Sequence, residues 1–169
     1  MKFKKIICWP PLLGGVGAGV TIAILSYITF KSFLSGSYYG LWLATSFGSS
    51  VVVVFGYPDN EFSQPKNVLF GHLLCALVGI VFVMLIKISQ DRSIFFLAIG
   101  IAVGVSVMLM MVFKITHPPA GGNTIVVMLT QVSFQFLIFP IMVGAVTIII
   151  GGVIYNRFIL KKKYPLKWL

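Results

Sequence analysis

The stretch "KITHPPAGGNTIVVML", Lys114 to Leu129, decides how this chain folds. Long apolar runs of the kind that sit in lipid flank it on both sides. Inside it a cation, a histidine, two prolines, two glycines and an Asn-Thr pair follow one another. Neither Pro118 nor Pro119 has an N–H, and proline suits the first turn of a helix. A helix beginning here leaves the N–H groups of about Ala120, Gly121, Gly122 and Asn123 without intrahelical partners. In lipid each such group costs several kcal/mol, so irregular backbone is tolerated only against protein or a water-filled cavity. The stretch therefore predicts a helix start at membrane depth, facing something polar.

The composition agrees with a membrane setting. Of 169 residues 59% are hydrophobic and 9% charged, with a mean hydropathy of +1.04. A soluble domain carries about 25% charged residues, so the chain reads as one integral membrane domain over residues 1–169. The basic start "MKFKKIICWPPLLGG" runs into apolar sequence to about Phe30 with no small-x-small cleavage site. It reads as a retained first membrane helix. A span needs about 20 apolar residues, and Leu12–Leu34, Asn67–Ile88, Ser93–Ile115 and Phe134–Ile159 qualify. Two shorter segments, Leu41–Tyr57 and Pro118–Thr130, open with small and polar residues and end in β-branched apolar runs. The connections are "GYPDNEFSQPK" (Gly56–Lys66) and "KISQDRS" (Lys87–Ser93). Proline, Asn and Asp in the first argue for a structured turn outside the lipid.

Thirteen Lys and Arg against three acids give a net charge of +10. The cations gather at the ends: Lys2, Lys4 and Lys5, then Arg157, Lys161, Lys162, Lys163 and Lys167. Basic clusters beside spans mark the cytoplasmic side, so both termini are expected inside. Anionic lipid headgroups, not nucleic acid, suit such short clusters. Trp9, Trp42 and Trp168 read as interface anchors. Cys8 and Cys75 have no metal or redox spacing, and no cofactor is called for.

Internal similarity divides the chain into halves of about 12–88 and 93–159. "GVGAGVTIAIL" from Gly15 matches "GIAVGVSVMLM" from Gly100, each with a GxxxG (Gly15/Gly19, Gly100/Gly104) followed by V-[TS]. "FGSSVVVVF" from Phe47 matches "GGNTIVVML" from Gly121, setting Gly48 on Gly122, Ser49 on Asn123 and Ser50 on Thr124. A further span follows in each half, with Gly79 and Gly144 at similar depth. The fold class is thus all-α, each half a span, a small-polar helix and a span. Two versions fit termini on one side: four full spans plus two re-entrant half-helices, or six spans with inverted halves. The GxxxG pairs read as helix-packing faces.

A helix N-terminus carries roughly half a positive charge and is an anion site by construction. Gly121 and Gly122 let a ligand approach the backbone, and Asn123 and Thr124 add neutral hydrogen-bonding groups. The first half offers Thr45, Ser46, Gly48, Ser49 and Ser50, without proline. Asp59, Glu61 and Asp91 all fall in connections, so no membrane segment offers a carboxylate to a cation or a proton. A small inorganic anion is the better fit. His117 reads either as a helix cap or as a gate that senses pH, and His72 as a buried interhelical partner or a second pH sensor. No nucleophile–base pair or metal-ligand cluster speaks for an enzyme.

"QPKNVLFGHLLCALVGI", "THPPAGGNTIVVML" and "FLIFPIMVGAV" together resemble the HPP family of integral membrane proteins. The resemblance rests on Gln64, Pro65, Asn67, Gly71 and His72 combined with His117 to Gly121, and runs from about Gly14 to Asn156. It implies a small multi-pass protein of a bacterial inner membrane, with relatives in cyanobacteria and plant plastids, some of them associated with nitrite transport. Where the family's first half usually reads P-F-G-A, this chain has Ser46-Phe47-Gly48-Ser49, and Gly122-Asn123 replaces alanine and a small residue. The expectation is a homo-oligomeric transporter or channel for a small monovalent anion such as nitrite or nitrate, the alternatives being a membrane-embedded structural or regulatory subunit and a pathway for a small neutral solute. Its binding residues would be Ser46, Gly48, Ser49, Ser50, His117 and Ala120 to Thr124, with His117 and His72 setting pH dependence.

Overall fold

The computed structural model describes residues 9–34, 40–89 and 93–168. Lys2, Lys4, Lys5, Cys8, Asp91 and Arg92 lie outside the described residues, as do the side chains of Trp9 and Trp42; Trp168 is exposed. Six α-helices follow in order: α1 (Trp9–Leu34), α2 (Gly40–Gly56), α3 (Pro65–Ser89), α4 (Phe95–Val112), α5 (Gly121–Thr130) and α6 (Val143–Val153). A 3-10 turn, Pro118–Ala120, leads into α5, and wider-wound segments, Leu137–Met142 and Ile154–Ile159, extend α6 at both ends. No strand occurs among the described residues.

Among the described residues four helices are long and apolar enough to cross a membrane: Pro11–Phe30, Pro65–Ile88, Phe95–Val112 and Leu137–Ile159. They are the four expected spans, shifted by a few residues at their ends. The third stops at Val112 because Lys114 takes a left-handed backbone (φ 54°) and Ile115 N–H turns back to Met110 O. The fourth is broken at Phe139, which is extended (φ −125°, ψ 120°) ahead of Pro140. A residue before proline is pushed out of the helical region. At 1.5 Å per residue, α2 covers about 25 Å and α5 about 15 Å of a hydrocarbon core about 30 Å thick.

Side-chain neighbours fix the direction of every helix. Gly17 of α1 lies against Phe55 and Tyr155, and Thr21 against Gly151, so α1 runs opposite to α2 and α6. Phe47 packs on Gly144 and Val54 on Gly152, making α2 and α6 parallel. Gly71 packs on Ala120 and Gly79 on Val127, making α3 and α5 parallel. Cys75 meets Met110, and Val78 and Val83 cluster with Ala98 and Ala102, so α4 runs opposite to α3. Consecutive helices therefore alternate in direction. A helix α2 that returned to its own side of entry would bring Phe55 beside Leu34; it lies instead beside Gly14 and Gly17, near the start of α1.

The face that holds the start of α1 and the ends of α2 and α4 also holds the Gly56–Lys66 turn and the C-terminal tail. Tyr164 donates to Ser63 O (2.7 Å), Leu166 N–H to Gln64 Oε1 (2.8 Å), and Lys162 pairs with Asp59 (3.5 Å). Both ends of the described chain thus lie on one face.

Apolar side chains cover the outside as well as filling the core, and a set of polar groups is buried among them. Val16, Val20, Ile24 and Tyr27 of α1 and Leu97, Ile101, Met108 and Met111 of α4 are exposed, whereas Ser50, His72, Ser106, His117, Thr124 and Asn156 are fully buried. An outward apolar surface is what lipid requires, and inward polar groups must find partners within the protein. The GxxxG expectation is corrected. Gly15, Gly19, Gly100 and Gly104 have no neighbour within 4 Å of a would-be Cβ, so within this chain they are not packing faces. The helices approach through Gly14, Gly17, Gly71, Gly79, Gly144, Gly151 and Gly152 instead.

Candidate functional site: a buried imidazole–hydroxyl chain

The polar groups inside the helices converge where α2, α3 and the start of α5 meet. Ser50 Oγ lies 2.8 Å from His72 Nε2 and 2.9 Å from His117 Nε2, bridging two fully buried rings whose centroids are 5.1 Å apart. His117 Nδ1 lies 2.7 Å from the carbonyl of Phe62 in the Gly56–Lys66 turn. On the other side, Asn123 Nδ2 lies 2.7 Å from His72 Nδ1 and 3.4 Å from His72 O. Phe47 closes the group, its ring 4.7 Å from that of His72.

The partners dictate where the protons sit. A backbone carbonyl only accepts, so His117 carries its proton on Nδ1, and its neutral ring accepts at Nε2. An amide nitrogen only donates, so His72 accepts at Nδ1 and carries its proton on Nε2. His72 therefore donates to Ser50 Oγ, and Ser50 donates to His117. Its O–H also has Ser46 O within reach at 3.1 Å. Turning the Asn123 amide over would put a proton on His72 Nδ1. With both rings neutral, that would leave Ser50, which has a single O–H, facing two acceptor nitrogens, and it would set an oxygen against His72 O. The assigned orientation keeps both rings neutral with one proton in every bond.

A second pair of hydroxyls continues the polar line. Ser106 and Thr124 are 2.8 Å apart, and Thr124 donates to Cys75 O (2.9 Å). Asn67 Nδ2 ties the start of α3 to Thr116 O (2.9 Å), which anchors the turn that carries His117.

Most of the expected binding residues come together here. Ser46 and Gly122 face each other, a Cβ on Gly122 lying 3.0 Å from Ser46 Oγ. Ser50, His72, His117, Ala120, Asn123 and Thr124 are buried in one group. Ser49 is exposed, and Gly48 and Gly121 are half-buried with open space around them. One expectation is corrected. The N–H groups of Ala120 and Gly121 are not orphaned, because the 3-10 turn starts the winding three residues before α5. Ala120 N–H bonds His117 O (2.9 Å), and Gly121 N–H bonds the carbonyls of Pro118 and Pro119. The two prolines, which have no N–H, take the first open positions. His117 does not cap the helix with its side chain either; the ring reaches across to α2 and the turn.

Two participants were absent from the sequence reading as site residues: the Phe62 carbonyl and Ser106. A backbone oxygen has no sequence signal. Ser106 had one, the shared V-[TS] after the GxxxG. An open groove of about 560 Å³ between α1, α2 and the end of α6 is lined by Gly14, Ala18, Val51, Phe55, Tyr155 and Lys162 among others, and shares no residue with the cluster. Among the described residues no group of His, Cys, Asp and Glu is placed to hold a metal ion.

The fold is that of a multi-pass helical membrane protein with a buried His–Ser–His core, one histidine heading a Pro-Pro helix start and the other on a neighbouring long helix. The chain belongs to the HPP family: the family profile described as "HPP, transmembrane region" matches residues 6–165. It is similar to two transmembrane proteins of Dictyostelium discoideum. One is 33% identical over 130 residues, covering 75% of this chain and 45% of the relative; the other is 30% identical over 133 residues, covering 76% and 42%. The chain therefore spans less than half the length of these curated relatives. No solved structure matches the chain significantly.

Proposed function

We propose that the chain moves a small monovalent anion, with nitrite and nitrate the first to consider, through a passage between the start of α5 and the Ser46–Ser50 face of α2. One observation carries this reading. The α5 start, the positive end of its dipole, lies inside the protein against neutral hydroxyl, amide and imidazole groups, and no Asp or Glu lies in any of the six helices. Neutral donors bind an anion firmly enough to admit it and weakly enough to release it. Paired backbone N–H groups at Ala120 and Gly121 shift the weight of the site toward side chains, Ser46 opposite Gly122 first, with Ser50 and Asn123 exchanging their histidine partners for the anion.

The same reading includes two inverted halves. Gly79 meets Val127 in the parallel pair α3–α5, and Gly152 meets Val54 in the parallel pair α6–α2. Gly71 meets Ala120 as Gly144 meets Phe47. All four positions of the second half differ from those of the first by 73, which moves the alignment of the short helices by one residue and sets Ser50 on Asn123. Both of these side chains bond His72. Alternating helix directions make the relation an inverted one, the architecture in which solute sites lie between the repeats.

Uptake of nitrite, nitrate, formate and chloride into liposomes holding the purified protein, with Gly122→Leu as the blocked variant, tests the proposal. Selective uptake lost in Gly122→Leu is the expected result. No uptake by folded protein assigns the cluster to the packing of a membrane-embedded subunit.

A further inference from the structure

The hydrogen bonds of the buried cluster all point the same way. Asn123 donates to His72, His72 to Ser50, Ser50 to His117 and His117 to the Phe62 carbonyl. Such a file of neutral groups passes a proton along without any group travelling. When the Asn123 amide turns its N–H away, a proton from the bound acid reaches His72 Nδ1 and releases the one on Nε2 to Ser50 Oγ; Ser50 hands its own to His117 Nε2; His117 releases the one on Nδ1 to water at the exposed turn beside Phe62. One proton enters, one leaves, and each of the three side chains ends neutral; the two His–Ser bonds are reversed, and the tautomers turn back before the next transfer. We propose that His72, Ser50 and His117 form a proton relay between the centre of the helix bundle and the face that holds the Gly56–Lys66 turn, so that the anion of the reading above crosses together with one proton.

Two further observations fit the relay. Asn123 Oδ1 is buried and has no hydrogen-bond partner among the described residues. It is a free acceptor on the same amide that faces the entry atom, and an acceptor suits the O–H of a protonated acid, not a bare anion. At the other end the turn is polar and exposed: Glu61 adjoins Phe62, and Asp59 is 72% exposed. The elements packed around the two rings bring few charged or titratable groups to them. α2, α4, α5 and α6 carry no Asp, Glu, Lys or Arg; α3 has only Lys66 and Lys87, at its ends. The Cys75 thiol is directed to Met110 Sδ, and Lys114 beyond the His117 turn is exposed. The two rings lie 5.1 Å apart, and a charge on one opposes a charge on the other, which favours passing a single proton.

The inference rests on the anion reading, and the test separates them. Reconstituted wild type, Ser50→Ala and Ser50→Thr are compared for uptake of formate and nitrite with a pH-sensitive dye inside the liposomes, and for proton uptake driven by potential alone without a permeant acid. The expected result is about one proton per anion in the wild type, flux at least tenfold lower in Ser50→Ala, and recovery in Ser50→Thr, which restores the hydroxyl. Anion uptake with no accompanying proton overturns the relay and leaves the anion reading standing. Potential-driven proton uptake lost in Ser50→Ala, without anion flux, overturns the anion reading and supports the relay. No proton movement under either drive, in protein that elutes as the wild type does, overturns the relay.

Discussion

α2 and α5 lie against each other in opposite directions and hold equivalent places in the proposed repeat, yet they solve different problems. α2 is 17 residues long and opens without proline or histidine; α5 has 10 residues and is preceded by His117-Pro118-Pro119. Their packing is alike: each is notched by a glycine pair eight residues apart on its parallel neighbour, Gly144 and Gly152 for α2, Gly71 and Gly79 for α5. Their chemistry is not. Both histidines of the chain belong to the α3–α5 side, and α2 contributes the hydroxyl that joins them. The glycine packing is thus matched between the two helices while the histidines are not, so packing and polar chemistry can be probed separately.

The packing half of that comparison has the largest consequences. A Cβ on Gly144 would collide with the ring edge of Phe47, which is fully buried, and one on Gly152 would collide with Val54. Overpacking costs about 1–3 kcal/mol, occasionally more. Gly144→Ala and Gly152→Ala should therefore lie at or above the top of that range, and Gly144→Leu should yield no monodisperse protein on size-exclusion chromatography. Gly71→Ala and Gly79→Ala, whose nearest contacts are at 2.9 Å, should be milder. Gly100→Ala and Gly104→Ala, with open space around them, should leave the melting temperature unchanged. Equal losses at Gly100 and Gly144 would mean that packing between copies, not within the chain, sets stability.

The chemical half is probed at Ser50 and Asn123, the pair that the proposed repeat makes equivalent. Ser50→Ala leaves His72 Nε2–H and His117 Nε2 without their partner, two buried groups at about 1–3 kcal/mol each. Asn123→Ala strips one bond from His72 Nδ1, so about half the loss is expected in thermal unfolding. Nitrogen-15 spectra of ring-labelled histidine give a sharper reading. One ring should carry its proton on Nε2 and the other on Nδ1, and Ser50→Ala should disturb both, whereas Asn123→Ala should disturb chiefly one. Two rings with the same tautomer in the wild type would contradict the single direction of the chain.

How much of this was legible in the sequence follows from what kind of signal each feature leaves. The four long spans are legible because twenty apolar residues have few other uses. The Pro-Pro helix start was placed correctly, since proline is tolerated at few other helical positions. The state of its N–H groups was not, because the sequence does not show that winding begins with a 3-10 turn at Pro118. Direction was ambiguous because α5 is too short to cross alone; only contacts such as Val127 on Gly79 reveal that it runs parallel to α3. The GxxxG pairs do not mark packing within the chain, because a four-residue spacing marks a helix face without saying which way it points. The glycines that do pack, 71 with 79 and 144 with 152, share a spacing of eight that was present in the sequence and became meaningful once their neighbours were known. His72 and His117 lie 45 positions apart, and nothing in their spacing announced a shared serine.

A third difference between the halves lies at the face of the turn. The tail after α6 crosses to the Gly56–Lys66 turn of the first half, and Tyr164, 2% exposed, donates to Ser63 O one residue from the Phe62 carbonyl that holds His117. Burial pushes the Tyr164 hydroxyl above its ordinary value, which is about 10. A group raised in the folded state adds stability that is complete below its unfolded value and is lost as pH rises through the folded one. The wild type should accordingly lose stability above about pH 10, and Tyr164→Phe should flatten that alkaline decline while costing about 1 kcal/mol at neutral pH for the missing bond. An unchanged alkaline decline in Tyr164→Phe would place its origin elsewhere.

The smallest effect is expected at the outermost link of the same strap. Lys162 and Asp59 are 3.5 Å apart with side chains 45% and 72% exposed, and ion pairs of this kind contribute about 0–1 kcal/mol and weaken with salt. Gln64 holds the same two segments from inside: its Nε2 donates to Pro58 O and Asn60 O at 2.9 Å, and its Oε1 accepts from Leu166 N–H. Asp59→Asn should therefore leave the melting temperature within about 1 °C of the wild type, whereas Gln64→Ala should lower it by several degrees, in keeping with about 1–3 kcal/mol for buried groups stripped of partners. If Asp59→Asn proved the more damaging, surface charge would be holding the tail, and the coupling of tail to turn would fade as salt is raised. A larger loss in Gln64→Ala that salt does not alter would instead place the hold in the buried amide, which joins the end of the second half to the turn that positions His117.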